Sequence, residues 1–255
     1  MNGDSFINPR IHDCEDHVSI ETEPIGYRDG DTRLNGVLAR NTDHAGTRPG
    51  ILVVHGGAGL DDHARGRARR FAEAGFVVFA CDMYGEGVTG DRERTMRQIG
   101  ELRNNPAALI RRVESAIDIL SSRPDVDGRI AAVGYCFGGM IVLEYARRGS
   151  RLSGAVSVHG TLATTSPAGP SSIGARILVC HGALDPHVPM SQVTAFADEM
   201  KAAGADYQLI VYGSAMHGFT HETATGQQPG VQYHAKTDAR SSVAIQTFLA
   251  ELFAV

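Results

Sequence analysis

Cysteine is scarce in this chain, with four in 255 residues. That is too few for a disulfide scaffold and points to a reduced, cytoplasmic protein. No apolar run approaches the ~18 residues of a membrane span, so no membrane partner is expected. The first twenty residues carry Asp4, Asp13, Glu15 and Asp16 and no apolar centre, unlike a secretory signal. Excess positive charge is missing too. The chain has 24 Lys plus Arg against 29 Asp plus Glu, a net charge of −5, which leaves no footprint for nucleic acid. H-E-x-x-H and C-x-x-C are both absent, so no metal site is expected. There is no repeat, no low-complexity block and no interface stripe, and oligomeric state is left open. Hydrophobic residues at 42% and charged residues at 21% leave a globular protein with a sizeable core.

Six short apolar runs, rich in Val and Ile, punctuate the chain at 51–54, 76–80, 130–133, 155–158, 177–180 and 209–212. They are mostly continuous rather than alternating, as in strands buried on both faces of a parallel sheet. Looser strands at 17–23 and 33–39 would form an antiparallel pair at the start of that sheet. Helical patterns alternate with the runs. Asp61 or Asp62 caps a helix that turns Ala64, Ala68 and Phe71 inward. Asn105 and Pro106 supply a cap and a first-turn proline for a helix with Leu109, Val113, Ala116, Ile117 and Leu120 on one face. Val193, Phe196, Ala197 and Met200 make another inward face, closed by Gly204. Ile245, Phe248, Leu249 and Leu252 face inward on a terminal helix. Residues 164–174 and 223–230 read as surface loops. The expected fold class is α/β, as one mainly parallel domain over 17–255 flanked by helices. Residues 1–16 read as a flexible arm.

The most informative segment is Gly134-Tyr135-Cys136-Phe137-Gly138-Gly139. It follows the strand at 130–133 and precedes the helical pattern at 140–147. A nucleophile-type residue between small residues two places before and after it defines a nucleophile elbow, here with Cys where Ser is commoner. Such a turn lifts the side chain to the sheet's edge at a helix N-terminus. That position favours thiolate over thiol, and the Phe137 N–H can donate to an oxyanion. Asp185 follows the strand at 177–180, and His217 follows the strand at 209–212. The order Cys136, Asp185, His217 is the nucleophile–acid–histidine order of α/β-hydrolases. Loops leaving the C-terminal strand ends converge on one edge, so the three are expected to meet. His181 and His187 lie on the acid's own loop and are set aside as bases. The His55-Gly56-Gly57-Ala58-Gly59 run lacks the phosphate-loop and dinucleotide spacings. It suits a second oxyanion segment, with Gly57 as donor and Gly56 the near alternative. His12, Cys14, Asp16 and His17 read as a solvated polar segment without metal-site spacing. Cys81 and Cys180 read as inert core thiols and Cys14 as a surface thiol.

Over residues 20–253 the chain resembles the dienelactone hydrolase family of α/β-hydrolases. The resemblance rests on G-Y-C-F-G-G around Cys136, D-M-Y-G-E-G from Asp82, H-G-A-L-D-P from His181 and M-H-G-F from Met216. It implies a Cys136 nucleophile, a His217 base oriented by Asp185, and backbone donors at Phe137 and Gly57. It also implies a small-molecule ester or lactone substrate and no cofactor. Three departures stand out. Gly56 replaces a glutamate thought to help control the thiol. Glu86, two residues past Tyr84, and His221 occupy the places of two arginines that grip the substrate carboxylate. Losing both arginines removes a charge-assisted clamp and points away from a carboxylate-bearing dienelactone. Gly56, Tyr84, Glu86 and His221 are therefore the candidate pocket residues, Glu86 either facing the pocket or standing solvated on its loop. Attack of the same thiol on a phosphate triester is an alternative. A binding or redox-sensing protein on a hydrolase scaffold is a rival of another class.

Overall fold

The computed structural model describes residues 19–254. The arm at 1–16, with His12, Cys14 and Asp16, lies outside the described residues, as does His17. Eight strands form one sheet: β1 (Ile20–Asp29), β2 (Thr32–Asn41), β3 (Arg48–Val54), β4 (Val77–Cys81), β5 (Val126–Tyr135), β6 (Gly154–Val158), β7 (Arg176–Gly182) and β8 (Tyr207–Tyr212). Their order is β1-β2-β4-β3-β5-β6-β7-β8. β1 pairs antiparallel with β2, and β2 antiparallel with β4. From β4 to β8 every pairing is parallel.

The central strands earn their place by composition. All five residues of β4 and all five of β6 are buried, as an apolar run covered on both sides requires. β1 extends well past the expected 17–23, through Pro24 to Asp29. A proline is tolerated there because β1 is the sheet's edge and one side of it needs no ladder partner.

Six helices cover the faces: α1 (Asp62–Glu73), α2 (Arg92–Asn104), α3 (Pro106–Ser121), α4 (Phe137–Arg147), α5 (Met190–Ala203) and α6 (Ala235–Phe253). The caps follow the sequence. Asp61 accepts from the Ala64 N–H at 3.1 Å, Asn105 accepts from Ala108 N–H, and Gly204 ends α5 at φ 67°. One core layer holds the inner faces of α3, α4 and α5. The other holds those of α1 and α6, including Ala64, Phe71, Ile245 and Phe248. Each fully buried Val, Leu, Ile or Phe contributes ~1.5–3 kcal/mol relative to exposure. Ala197 and Leu252 are only partly buried, at the margins of the faces assigned to them.

Helix α2 is the element that the sequence pattern leaves unannounced. Thr95 and Leu102 are its only fully buried residues, so it has no apolar stripe to reveal it. Its readable signal is the cap, Asp91 accepting from the Arg94 N–H at 3.0 Å.

Candidate active site

The turn between β5 and α4 is sterically exacting. A Cβ on Gly134 would lie 2.1 Å from the Gly138 carbonyl oxygen, and one on Gly138 would lie 2.2 Å from that of Val54. Only glycine lets strand and helix approach so closely. Between them Cys136 adopts φ 54°, ψ −114° as the residue capping α4. Such a backbone is strained for a residue with a Cβ and persists only where its surroundings over-determine it. The Cys136 N–H donates to the Val158 carbonyl at 2.9 Å, and its own carbonyl accepts from Gly139 and Met140.

Cys136, His217 and Asp185 meet at the C-terminal edge of the parallel strands. His217 Nε2 is 3.0 Å from Cys136 Sγ, and His217 Nδ1 is 2.8 Å from Asp185 Oδ2. Asp185 Oδ1 accepts the N–H groups of His187 at 2.8 Å and Val188 at 3.2 Å, so the carboxylate is fixed by its own loop. His217 is held from behind: its N–H donates to Gly230 and its carbonyl accepts from Gln232.

The electrostatics match this geometry. Burial alone would push the Cys136 thiol up. The hydrogen bond and charge of His217, with the backbone N–H groups of Gly57 and Phe137, outweigh burial and bring it below the usual thiol range. Burial alone would lower His217, but its bonds to Asp185 and Cys136 push it up to about 10. Both directions favour a thiolate–imidazolium pair. Burial holds the other described cysteines the opposite way, with Cys81 pushed far up and Cys180 up to about 12.

Other expected site residues find definite places. Gly56 opens toward the thiol. A methyl built on it would stand 3.5 Å from Cys136 Cβ and 3.6 Å from His221 Nε2. Tyr84 is buried behind this loop rather than in a pocket wall, its hydroxyl 3.3 Å from the carbonyls of Gly56 and Gly57. Glu86 is exposed on its turn, with its backbone N–H donating to Arg33. Its exposure agrees with the solvated one of the two placements open to it. His187 and His181 lie near the triad, but neither takes the position of His217 beside the sulfur. The His187 ring is 5.4 Å from that of His217, and both His181 nitrogens lack a partner among the described residues.

His221 and His55 are joined by several residues that sequence reasoning missed. His221 stacks on His63 of α1, with ring centroids 3.7 Å apart. Arg67 Nε donates to His63 Nε2 at 3.2 Å, which assigns the His63 proton to Nδ1. Thr220 Oγ1 lies 3.0 Å from His63 Nε2 and 2.9 Å from His159 Nε2. Arg67 also donates to the Thr220 carbonyl at 2.8 Å and pairs with buried Asp238 at 2.8 Å. One guanidinium thus ties α1 and α6 to the loop carrying His217 and His221. Burial keeps His63, His159 and His221 neutral, lowering His63 to about 2. His55 supports the donor loop, its Nδ1 2.8 Å from the Gly56 carbonyl and its Nε2 accepting from Met83 N–H at 3.0 Å. Nothing in residue order alone would have brought α1 to this side of the thiol. Among the described residues no group of three or more His, Cys, Asp or Glu could hold a metal ion. Among the described residues no helix is long and apolar enough to cross a membrane.

A parallel sheet with an antiparallel start, a strained strand-to-helix elbow and an acid–histidine pair beside it define an α/β-hydrolase. Residues 34–253 match the family model described as the dienelactone hydrolase family. The chain belongs to that family and is a hydrolase of that type. A Yersinia pestis protein that carries the provisional name carboxymethylenebutenolidase is 28% identical over 224 residues, covering 82% of each chain. One from Escherichia coli with the same provisional name is 27% identical over 198 residues, covering 71% of each. A solved structure described as a dienelactone hydrolase-like promiscuous phosphotriesterase from metagenomic libraries superposes with a TM-score of 0.86. It is 36% identical, with 92% of this chain and 99% of that one covered.

Proposed function

We propose that this protein is a cysteine-dependent hydrolase of esters or lactones that works through a covalent thioester. The observation that carries the reading is the 3.0 Å approach of His217 Nε2 to Cys136 Sγ, with Asp185 on the ring's other nitrogen. The thiolate attacks the carbonyl carbon, forming the S–C bond and moving the C=O electron pair onto oxygen. The N–H groups of Phe137 and Gly57 hold that oxyanion, each worth ~3 kcal/mol in the transition state by analogy with donor deletions elsewhere. Collapse breaks the ester C–O bond, and the alkoxide takes the proton from His217 Nε2. Neutral His217 then removes a proton from water as that water attacks the thioester. Collapse expels the thiolate, releases the carboxylic acid and restores the ion pair.

Thiolates leave easily, so activated esters and strained lactones suit this site better than amides. With Gly56 and His221 beside the thiol and Glu86 solvated, no arginine stands where the family grips a carboxylate next to the reacting centre. The pocket there is neutral, and selectivity for a carboxylate-bearing dienelactone is not expected. Neutral His63, His159 and His221 also favour a second reading, attack of the same thiolate on an uncharged phosphate triester. A phosphotriesterase is among the proteins this chain resembles.

The test is turnover of p-nitrophenyl esters, simple lactones, a dienelactone and paraoxon by wild type and Cys136→Ala. Ester or lactone turnover that falls at least 10³-fold in the variant supports the proposal. Paraoxon turnover above that of every ester favours the second reading. Cys136 labelled by iodoacetamide without turnover of any substrate returns the binding or redox-sensing reading.

A further inference from the structure

Helix α2 forms a wall of the site. A Cβ on Gly57 would meet Ile99 Cδ1 at 3.6 Å, so Ile99 lies over the donor loop. One turn further, the Arg103 guanidinium sits over the Phe137 ring, 5.6 Å from its centroid. Residues four apart share a helix face, so a single stripe of α2 spans both backbone segments that hold the oxyanion. Beyond this stripe a cleft of about 230 Å³ opens between α2, α3 and α4. Its floor is Leu102, Leu109 and Met140, and its rim carries Arg103, Glu144 and Arg148. Met140 is one turn of α4 past Cys136, so floor and thiol lie along the same helix.

The rim charges are unequal. Glu144 accepts from Arg148 at 2.9 Å and from Arg147 at 3.1 Å. Arg103 is exposed, and among the described residues no carboxylate lies within ion-pair distance of it. Stacking on Phe137 orients the planar guanidinium while leaving its N–H edge available. The cleft therefore has an apolar floor and one uncompensated cationic fork at its rim.

Direction follows from the proton transfer. The leaving oxygen must reach His217 Nε2, so the leaving group lies on the side of His63, His159 and His221. The acyl substituent lies on the opposite side of the carbonyl, the side on which α2 packs over the donor loop and Met140 follows Cys136 along α4. We infer that this cleft is the acyl subsite, and that Arg103 selects acyl chains with an aliphatic body and a terminal carboxylate. The inference rests on the cysteine-hydrolase reading above. It is compatible with the missing family arginines, because those grip a carboxylate beside the reacting centre and Arg103 stands at the rim of a separate cleft.

The experiment compares p-nitrophenyl hexanoate with the p-nitrophenyl monoester of adipic acid, on wild type, Arg103→Gln, Arg103→Glu and Arg103→Lys. Nitrophenolate release measured against Cys136→Ala reports the hydrolase reading independently of the substrate preference. Wild type should favour the anionic ester about fivefold or more in kcat/KM, carried by KM, as one part-exposed charge pair allows. Arg103→Gln should abolish that preference, Arg103→Glu reverse it and Arg103→Lys retain much of it. In 1 M NaCl the wild-type preference should shrink. Cys136-dependent turnover of both esters with the same preference in wild type and Arg103→Gln overturns the subsite while leaving the hydrolase reading intact. Nitrophenolate release from both esters no faster than with Cys136→Ala overturns the hydrolase reading, and the inference falls with it.

Discussion

Asp185→Asn tests how the thiol is activated. The Asp185 side chain is fully buried, and its Oδ1 already accepts from His187 and Val188. The asparagine oxygen inherits those bonds, which leaves its NH₂ facing His217 Nδ1 across 2.8 Å. Two donors then face each other, so His217 must place its proton on Nε2, the tautomer that cannot take a proton from Cys136. His217 stands at about 10 against an ordinary 6.5, on the order of 5 kcal/mol of preference for the charged ring. If Asp185 supplies about half, the variant loses ~2–3 kcal/mol of ion-pair stabilisation, and the thiolate fraction below its midpoint falls roughly 30- to 150-fold. Ester hydrolysis should fall further, by about 10³ to 10⁴, because the ring must also move two protons per turnover. The assay is the rate of Cys136 alkylation by iodoacetamide against pH, read by intact mass. Wild type should reach its plateau below the ~8.5 of a free thiol, and the variant's midpoint should lie about 1.5 to 2 pH units higher. A folded Asp185→Asn protein with the wild-type alkylation profile would refute the argument.

Two further predictions concern stability. His55, His63, His159, His181 and His221 are all lowered, by burial first. The unfolded chain therefore binds protons below about pH 6.5 that the native protein does not, and stability is complete above that pH and lost as pH falls. Each ring costs up to ~1.4 kcal/mol per pH unit in that window, so the urea midpoint should drop steeply between pH 7 and 5.5. His217, raised to about 10, acts in the opposite sense and above 6.5. A flat midpoint across the interval would contradict the buried neutral rings. Gly138→Ala drives a methyl to 2.2 Å from the Val54 oxygen and 2.6 Å from that of His55. Prying β3 from α4 should cost more than ~3 kcal/mol, seen as a melting temperature lowered by at least several degrees, and wild-type melting would show that the turn can widen freely.

Legibility in the sequence followed the strength of local rules. β4 and β6 were legible because strands buried on both faces are mostly apolar, Ser157 being the one polar residue in the two. The elbow was legible because Gly134 and Gly138 sit where any Cβ would strike backbone. Asp185 and His217 followed from chain order once the elbow was fixed. Helix α2 was not legible, because only Thr95 and Leu102 of it are buried and no apolar stripe marks its face. Ile99 and Arg103 were hidden with it. The Tyr84 hydroxyl turns into the back of the donor loop, an orientation that a motif cannot express. The stack of His63 on His221 joins residues from opposite ends of the chain, and only the three-dimensional path of α1 brings them together.

The same backbone groups serve the resting thiolate and the proposed oxyanion. Gly57 and Phe137 N–H already help lower the Cys136 thiol. Only the difference between what a donor gives the ground state and what it gives the transition state accelerates the chemistry. In the resting site these donors spend part of their strength on sulfur. As the S–C bond forms, the sulfur loses its charge and the carbonyl oxygen gains it, so the donors exchange one anion for another. The net gain from each is smaller than for a site whose resting nucleophile is neutral, and the return is a nucleophile already ionised before substrate arrives. Such a site gains most where attack is limited by the electrophile rather than by proton removal. On the proposed mechanism, activated esters and strained lactones, with good leaving groups or ring strain to release, are therefore the expected substrates.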